Sequence, residues 1–299
     1  MKMISYAAFG GPEVLQLVDA EEPCAGPGEV RIAVRAAGVN PVDWRFRAGQ
    51  MQQLSPVDLP AGVGQDASGV VDQVGPGVCT VAVGDAVFGI GTNTYAEHAV
   101  LTTWAPVPPG LTFEEAAGYP SVVETALRVL REIDARPGHT ILVSGAAGGV
   151  GSTVLQIARA RGIAVVGTAS AANQDYVRSL GAAATTYDDG WVERVRSLGP
   201  FDAALDIAGA GVVCELIDIV GVPARVLSIA DLDAPRLGAR FTGGAGDMSE
   251  ALAEATRLIV AGRLRIPVAK SYALAEAAAA HTDSEAGHTR GRRAVVVGT

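Results

Sequence analysis

Apolar positions along the chain follow two rhythms. From Met1 to about Pro109 they form short β-branched runs, "EVRIAVRAAGV", "ASGVVDQVG" and "DAVFGI", cut by clusters such as "PCAGPGE" and "VGPGV". Runs of that length between glycine and proline punctuation predict short strands in an all-β, barrel-like segment. Past "VPPGLTFEEAAGYP" the rhythm changes to helical "SVVETALRVLREI", strand "TILVSG", helix "VGSTVLQIARARG", strand "AVVGTAS", helix "NQDYVRSLGA" and strands "AALDIAG" and "ARVLSIA". Strands alternating with helices predict a parallel, doubly wound sheet with right-handed crossovers.

The helical stretch "MSEALAEATRLIVAGRL" is followed by "IPVAKSYAL", the alanine-rich "AEAAAAHTDSEAG" and a terminal strand "RRAVVVG". No further helix completes another βαβ unit, so this tail is expected to return to the first domain, which is then discontinuous in sequence.

The most informative stretch is "ILVSGAAGGVGSTVLQIARARG", from Ile141 to Gly162. Ile141, Leu142 and Val143 read as a buried parallel strand. Val150, Val154, Leu155 and Ile157 give the next helix an apolar side. The corner between them carries Gly145, Gly148, Gly149 and Gly151. Bare residues there let the backbone approach a ligand, and free amides at a helix start favour a diphosphate. Against the GxGxxG fingerprint the corner reads Ala146, Gly148, Gly151, and the flanking strand and helix supply the context that the fingerprint requires.

About 20 residues on, a dinucleotide fold specific for NAD places an acid against the ribose 2'-hydroxyl. Here Thr168, Ala169 and Ser170 stand at that place and Asn173 follows. Nothing there repels a 2'-phosphate and several groups can hydrogen-bond it, so NADP is favoured over NAD. Ser170 also suits the cap of the following helix.

At 299 residues and 49% hydrophobic composition the chain affords one large or two ordinary globular domains. A formal charge of −9 opposes attraction to nucleic acid or anionic lipid. No run approaches the roughly 18 apolar residues of a membrane span and no signal peptide is evident, so the cytoplasm is the expected location. Cys24, Cys79 and Cys214 are far apart, which argues against disulfides or a cysteine-rich zinc site and predicts buried free thiols. The four histidines are isolated in sequence.

The ordered blocks "GPEVLQL", "AAGVNPVDWRFRAG", "GQDASGVV", "VGDAVFG", "YAEHAVL", "EEAAGYP", "ETALRVL", "AAGGVG", "LGAAATTYD", "FDAALDIAG" and "GHTRGRRAVVV" resemble the medium-chain dehydrogenase/reductase superfamily, in its zinc-free quinone oxidoreductase (zeta-crystallin-like) branch. The resemblance implies an α/β protein with a GroES-like β-barrel domain over residues 1–112 and 263–299. It also implies a Rossmann NADP-binding domain over residues 113–262, with the coenzyme in the cleft between them. Zinc alcohol dehydrogenases of the superfamily carry a cysteine in the second of these blocks and "GHE" in the third. Here the positions read Asn40 and Gly64–Gln65–Asp66. Losing the thiolate and the imidazole removes ligands that a catalytic zinc needs.

Carried over residue by residue, the resemblance implies that Asn40 and Thr125 lie near the nicotinamide and that Gly148, Gly149 and Val150 hold the pyrophosphate. It places the 2'-phosphate at Ser170, Asn173 and Tyr187, with Asn173 where relatives have a lysine. Ala208 and Ile229 follow strands whose backbone could touch the nicotinamide ribose and amide, or are plain core. Asp43 either orients Asn40 or caps a helix. Arg45 stands where some relatives have a tyrosine proton donor, and an arginine is no acid at neutral pH. Arg290, Arg292 and Arg293 form a solvated edge or reach the coenzyme phosphate.

The implied reaction is hydride transfer from NADPH to a small-molecule quinone or enone, with Asn40 and Asp43 as candidate catalytic residues and no metal. The alternatives are an NADPH-binding redox sensor or structural protein without turnover and, less favoured, a zinc alcohol dehydrogenase. A last Rossmann strand near Arg240 to Thr242 would leave an open edge, from which a homodimer is expected.

Overall fold

Thr140–Ser144 is the innermost strand of a parallel sheet because its apolar run, with Ile141, Leu142 and Val143 fully buried, finds cover on both faces. In this computed structural model, which describes residues 1–244 and 246–298, the chain forms two units. One comprises Met1–Ser121, Met248–Val260 and Ile266–Thr299, and the other Val122–Asp247 and Ala261–Arg265. Residues 113–121 and the helix Met248–Val260, which the sequence pattern assigns to the second domain, thus group with the first. A physical tie for 113–121 is visible: Ser68 Oγ donates to the Phe113 carbonyl at 2.6 Å, and Ser121 donates to Asp66.

The first unit is β-rich. Lys2–Tyr6 pairs with Gln16–Asp19 and Ala61–Gly62 in a three-stranded sheet. The main sheet runs Val268–Ala273, Arg292–Val296, Val30–Val39, Asp66–Val74, Ala86–Thr92, His98–Pro106. Val30–Val39 also pairs with His98–Pro106, closing four of these strands into a barrel. Along the first half of Val30–Val39 alternate residues are buried, Val30, Ile32 and Val34 among them, so one face fills the barrel core. The tail strand Arg292–Val296 lies antiparallel beside Val30–Val39, with Ala294 opposite Gly38.

The second unit is one six-stranded parallel sheet in the order Ala183–Thr185, Ala164–Thr168, Thr140–Ser144, Ala203–Asp206, Val226–Ser228, Arg240–Phe241. Numbered along this unit the order is 3-2-1-4-5-6, that of a Rossmann fold, and its direction reverses between Thr140–Ser144 and Ala203–Asp206. The strand Ala183–Thr185 and the helices Trp191–Arg196 and Val213–Val220 add to the elements expected from the sequence.

Among the described residues no helix is long and apolar enough to cross a membrane. The three cysteines are free but exposed, which corrects the expectation of buried thiols. Each lies outside the apolar clusters, Cys24 in an irregular segment and Cys214 in the first turn of a surface helix.

Candidate functional site

The glycine corner sits at the point where the strand order reverses. Gly148 caps the helix Gly149–Ala160 in extended backbone, and no side chain bonds the cap. The helix is buried through Gly151, Ser152, Thr153, Val154 and Leu155 to Ala158, which presses its start close to the strand end. Gly151 is bare of necessity, since a Cβ there would run into the Gly145 carbonyl. At Gly148 a Cβ would meet only the Gly145 carbonyl, at 3.6 Å. One glycine therefore lets helix and turn pack, and the other keeps the helix start bare, with only that carbonyl at contact distance from where a side chain would begin. That is the cradle a diphosphate needs.

Of the remaining sites predicted for this unit, Ser170, Asn173, Tyr187, Ala208 and Ile229 follow the carboxyl ends of strands of the same sheet. Ser170 and Asn173 follow Ala164–Thr168, and Asn173 Nδ2 donates to Ser170 Oγ at 3.1 Å. Ser170 does not cap with its side chain. The segment is instead braced by Gln174, which donates to the carbonyls of Ala169 and Thr185 at 2.8 and 3.1 Å. Tyr187 follows Ala183–Thr185 and is exposed. The neighbouring Arg194 is held by Asp188 and the Asp189 carbonyl. Ala208 lies against Gly145, whose Cβ would come within 3.1 Å of it. Ala208 is exposed and Ile229 half-buried, so neither is plain core. Thr125 is half-buried on the helix Pro120–Glu132, where its hydroxyl donates to Glu124 at 3.2 Å.

Two residues that sequence reasoning overlooked shape this edge. Asp206, at the end of Ala203–Asp206, is fully buried; it accepts from Gly209 N at 3.0 Å and from Ser228 Oγ at 2.8 Å. Ser228 Oγ in turn accepts from the amides of Ala230 and Asp231. The turns that carry Ala208 and Ile229 are thereby fixed from beneath.

Asn40 and Asp43 belong to a separate polar cluster inside the first unit. Asn40 precedes the helix Pro41–Arg47, and its backbone N donates to Asp43 Oδ2 at 2.8 Å. Asn40 is thus the N-cap, and Asp43, the third residue of the helix, reaches back to it as the acid of a capping box. Tyr95 donates its hydroxyl to the same oxygen at 3.4 Å. Asn40 Nδ2 donates to Asp66 Oδ2 at 3.0 Å, and Asp66 also accepts from the Ser121 hydroxyl. Arg292, 5% exposed, donates from Nη2 to Asn40 Oδ1 at 2.8 Å and lies 3.6 Å from Asp66. Arg292 is thus neither a solvated edge nor a phosphate ligand of the kind expected from the sequence: its guanidinium is engaged by the interior of the first unit.

Burial dominates the titration of this cluster. Asp43 is pushed up to about 7 by desolvation, with Asp66 adding to the rise and its bond from Asn40 and the Arg292 charge opposing it. Desolvation also raises Asp66 and lifts Tyr95 well above an ordinary phenol. Tyr95 therefore stays protonated, a hydrogen-bond donor within the cluster.

The cluster does not fit a zinc ion. Among the described residues no group of three His, Cys, Asp or Glu side chains could hold a metal. The carboxylate beside Asn40 already has a guanidinium for its cation.

Residues 26–113 match the alcohol dehydrogenase GroES-like domain, and residues 180–295 match the zinc-binding dehydrogenase family. The quinone oxidoreductase of Pseudomonas aeruginosa is 33% identical over 97% of this chain and 98% of its own length. The pikromycin polyketide synthase component PikAII of Streptomyces venezuelae is 39% identical over 71% of this chain, a stretch amounting to 5% of that protein. A mycobacterial protein solved in complex with NADPH superposes with a TM-score of 0.87 at 30% identity, covering 99% of this chain and 100% of that one.

Proposed function

Because the chain belongs to the medium-chain dehydrogenase/reductase superfamily, in its quinone oxidoreductase branch, we propose that it is an NADPH-dependent, zinc-independent reductase of quinones or enones. The observation that carries this reading is the corner at Gly148, where a helix starts at the reversal of the sheet with a bare residue and no side chain bonding its cap. The pyrophosphate would lie against the bare Gly148 and on the amides of Gly149 and Val150, and the 2'-phosphate on Ser170, Asn173 and Tyr187. The nicotinamide half would be served by the backbone of Ala208 and Ile229 and by Thr125 and Asn40. When bound, NADPH supplies a hydride; with one proton from solvent this reduces a quinone or the carbon–carbon double bond of an enone. Asn40 would hydrogen-bond the acceptor's carbonyl oxygen, while Asp43, which accepts from the Asn40 amide and the Tyr95 hydroxyl, would act as a positioning residue.

The open edge strand Arg240–Phe241 supports pairing with a second copy into a homodimer. The test of function is NADPH oxidation followed across a panel of quinones and enones, with binding measured separately by calorimetry. Turnover of at least one class is expected. Tight NADPH binding with no turnover on any acceptor would instead identify a binding protein or sensor.

A further inference from the structure

We propose that Arg292 is a positioning residue that locks the Asn40 carboxamide in one orientation, so that the second N–H of the amide is held in a fixed place as a hydrogen-bond donor to a ligand. The inference rests on the proposed reductase reading and adds a chemical reason for its substrate class.

The lock follows from what each partner can do. A guanidinium only donates, so the Asn40 atom 2.8 Å from Arg292 Nη2 must be the amide oxygen. Asp66 accepts from the Ser121 amide and lies 3.6 Å from the Arg292 guanidinium, both of which favour its ionised form against burial; an ionised carboxylate only accepts, so the atom 3.0 Å from its Oδ2 must be the amide nitrogen. Flipping the amide would set donor against donor and oxygen against oxygen at once. Asp66 is kept in place by the backbone N of Ser121 at 3.2 Å as well as by its hydroxyl.

The slot for Arg292 is built by absent side chains. A Cβ on Gly38 would strike the Ala117 carbonyl and come within 3.2 Å of Arg292 Nη2, and one on Gly118 would come within 3.2 Å of Arg292 Cγ. With its oxygen held by Arg292 and one N–H by Asp66, Asn40 retains a single N–H. A fixed N–H of this kind suits a carbonyl oxygen. The arrangement therefore suits carbonyl-conjugated acceptors. Withdrawal of electron density by the guanidinium at the amide oxygen strengthens the remaining N–H as a donor.

The experiment combines the amide spectrum with kinetics. In protein labelled with nitrogen-15, the Asn40 side-chain signal is assigned by its loss in Asn40→Ala. In the native protein its two hydrogens should give widely separated, slowly exchanging resonances. In Arg292→Gln they should move toward the positions of an exposed asparagine, and Arg292→Lys should restore them in part. With 1,4-benzoquinone as acceptor, Arg292→Gln should lower kcat by about tenfold or more, as loss of orientation does, while NADPH binding stays within about twofold. Where Arg292→Gln fails to fold, Asp66→Asn tests the other side of the lock and should disturb the same resonances. Native-like Asn40 signals in Arg292→Gln, or in Asp66→Asn in its place, would overturn the proposal, whatever the activity. A native protein inert toward every acceptor but with a locked amide would instead refute the reductase reading alone.

Discussion

Ser228 donates its hydroxyl to Asp206 Oδ2 across 2.8 Å, joining the ends of two neighbouring parallel strands. The bond is buried, and the other oxygen of Asp206 accepts from Gly209 N at 3.0 Å. Asp206→Ala would leave that amide and the Ser228 hydroxyl without their acceptor. An unpaired buried donor costs about 1–3 kcal/mol, and Ser228 is buried whereas Gly209 is exposed, so unfolding in urea should show a loss of roughly 1–3 kcal/mol. NADPH affinity should fall as well, because the turns bearing Ala208 and Ile229 lose their brace. Asp206→Asn, which keeps one acceptor oxygen, should lose less on both counts. An Asp206→Ala protein with native stability and affinity would show that the brace is dispensable.

The two roles assigned to glycine at the corner can be separated. A Cβ on Gly148 would make only an ordinary 3.6 Å contact with the Gly145 carbonyl, and its φ of −72° suits any residue, so Gly148→Ala should leave the melting temperature within about 2 °C of native, as a substitution that disturbs no packing does. It should nevertheless weaken NADPH binding by about tenfold or more, since the added methyl stands where the backbone must approach the pyrophosphate. Gly151→Ala should behave in the opposite order: its Cβ meets the Gly145 carbonyl, so stability falls first and binding follows. Thermal melting alongside calorimetric titration of both variants checks the pair. A Gly148→Ala protein that binds NADPH normally would remove the diphosphate from this corner.

Much of the second unit was legible in the sequence because its central strands are buried on both faces and therefore read as unbroken apolar runs. The elements that escaped lack that signal. Ala183–Thr185 is three small residues, and Trp191–Arg196 is a six-residue helix rich in charge, too short to show a period. The resemblance gave Asn40 and Asp43, but not the cluster that holds them. Arg292 lies 252 positions from Asn40, and Ser121 lies 55 from Asp66. Only pairing of the tail strand with Val30–Val39 brings the first two together. An arginine between Gly291 and Arg293 reads as a surface charge until the sheet register puts it opposite the interior.

Selectivity between coenzymes should be modest and adjustable. Ser170 and Asn173 offer neutral hydrogen-bonding groups to a 2'-phosphate, and the nearby Arg194 is already held by Asp188. NADPH should therefore bind more tightly than NADH, but by less than a pocket with a dedicated cation achieves. Asn173→Lys should raise the NADPH-to-NADH affinity ratio by about three- to tenfold at low ionic strength, with the gain shrinking as salt is added. Titration of both coenzymes at two salt concentrations measures the ratio. A ratio unmoved by the lysine would place the adenosine ribose elsewhere.

Asp43 and His281 should pull the pH dependence of stability in opposite directions. Asp43 keeps its proton in the folded protein up to about 7, whereas an unfolded aspartate loses it near about 3.9. Between those values the folded state holds the extra proton, so this group's contribution falls as pH rises. His281, fully buried beside Tyr95, is driven down to about 3 by desolvation, with the Arg47 charge adding to the shift. Unfolded histidine takes up a proton near about 6.5, so its contribution is complete above that pH and is lost as pH falls toward 3. From about pH 4 to 6.5 the two slopes oppose one another, each limited to about 1.4 kcal/mol per pH unit. Asp43→Asn should expose a stability that rises with pH across this window. His281→Leu, which also removes two buried nitrogens without partners, should expose one that declines up to about pH 7. Urea midpoints measured at half-unit steps of pH for the native protein and both variants decide the matter. Parallel profiles for all three would mean that neither group titrates as its burial dictates.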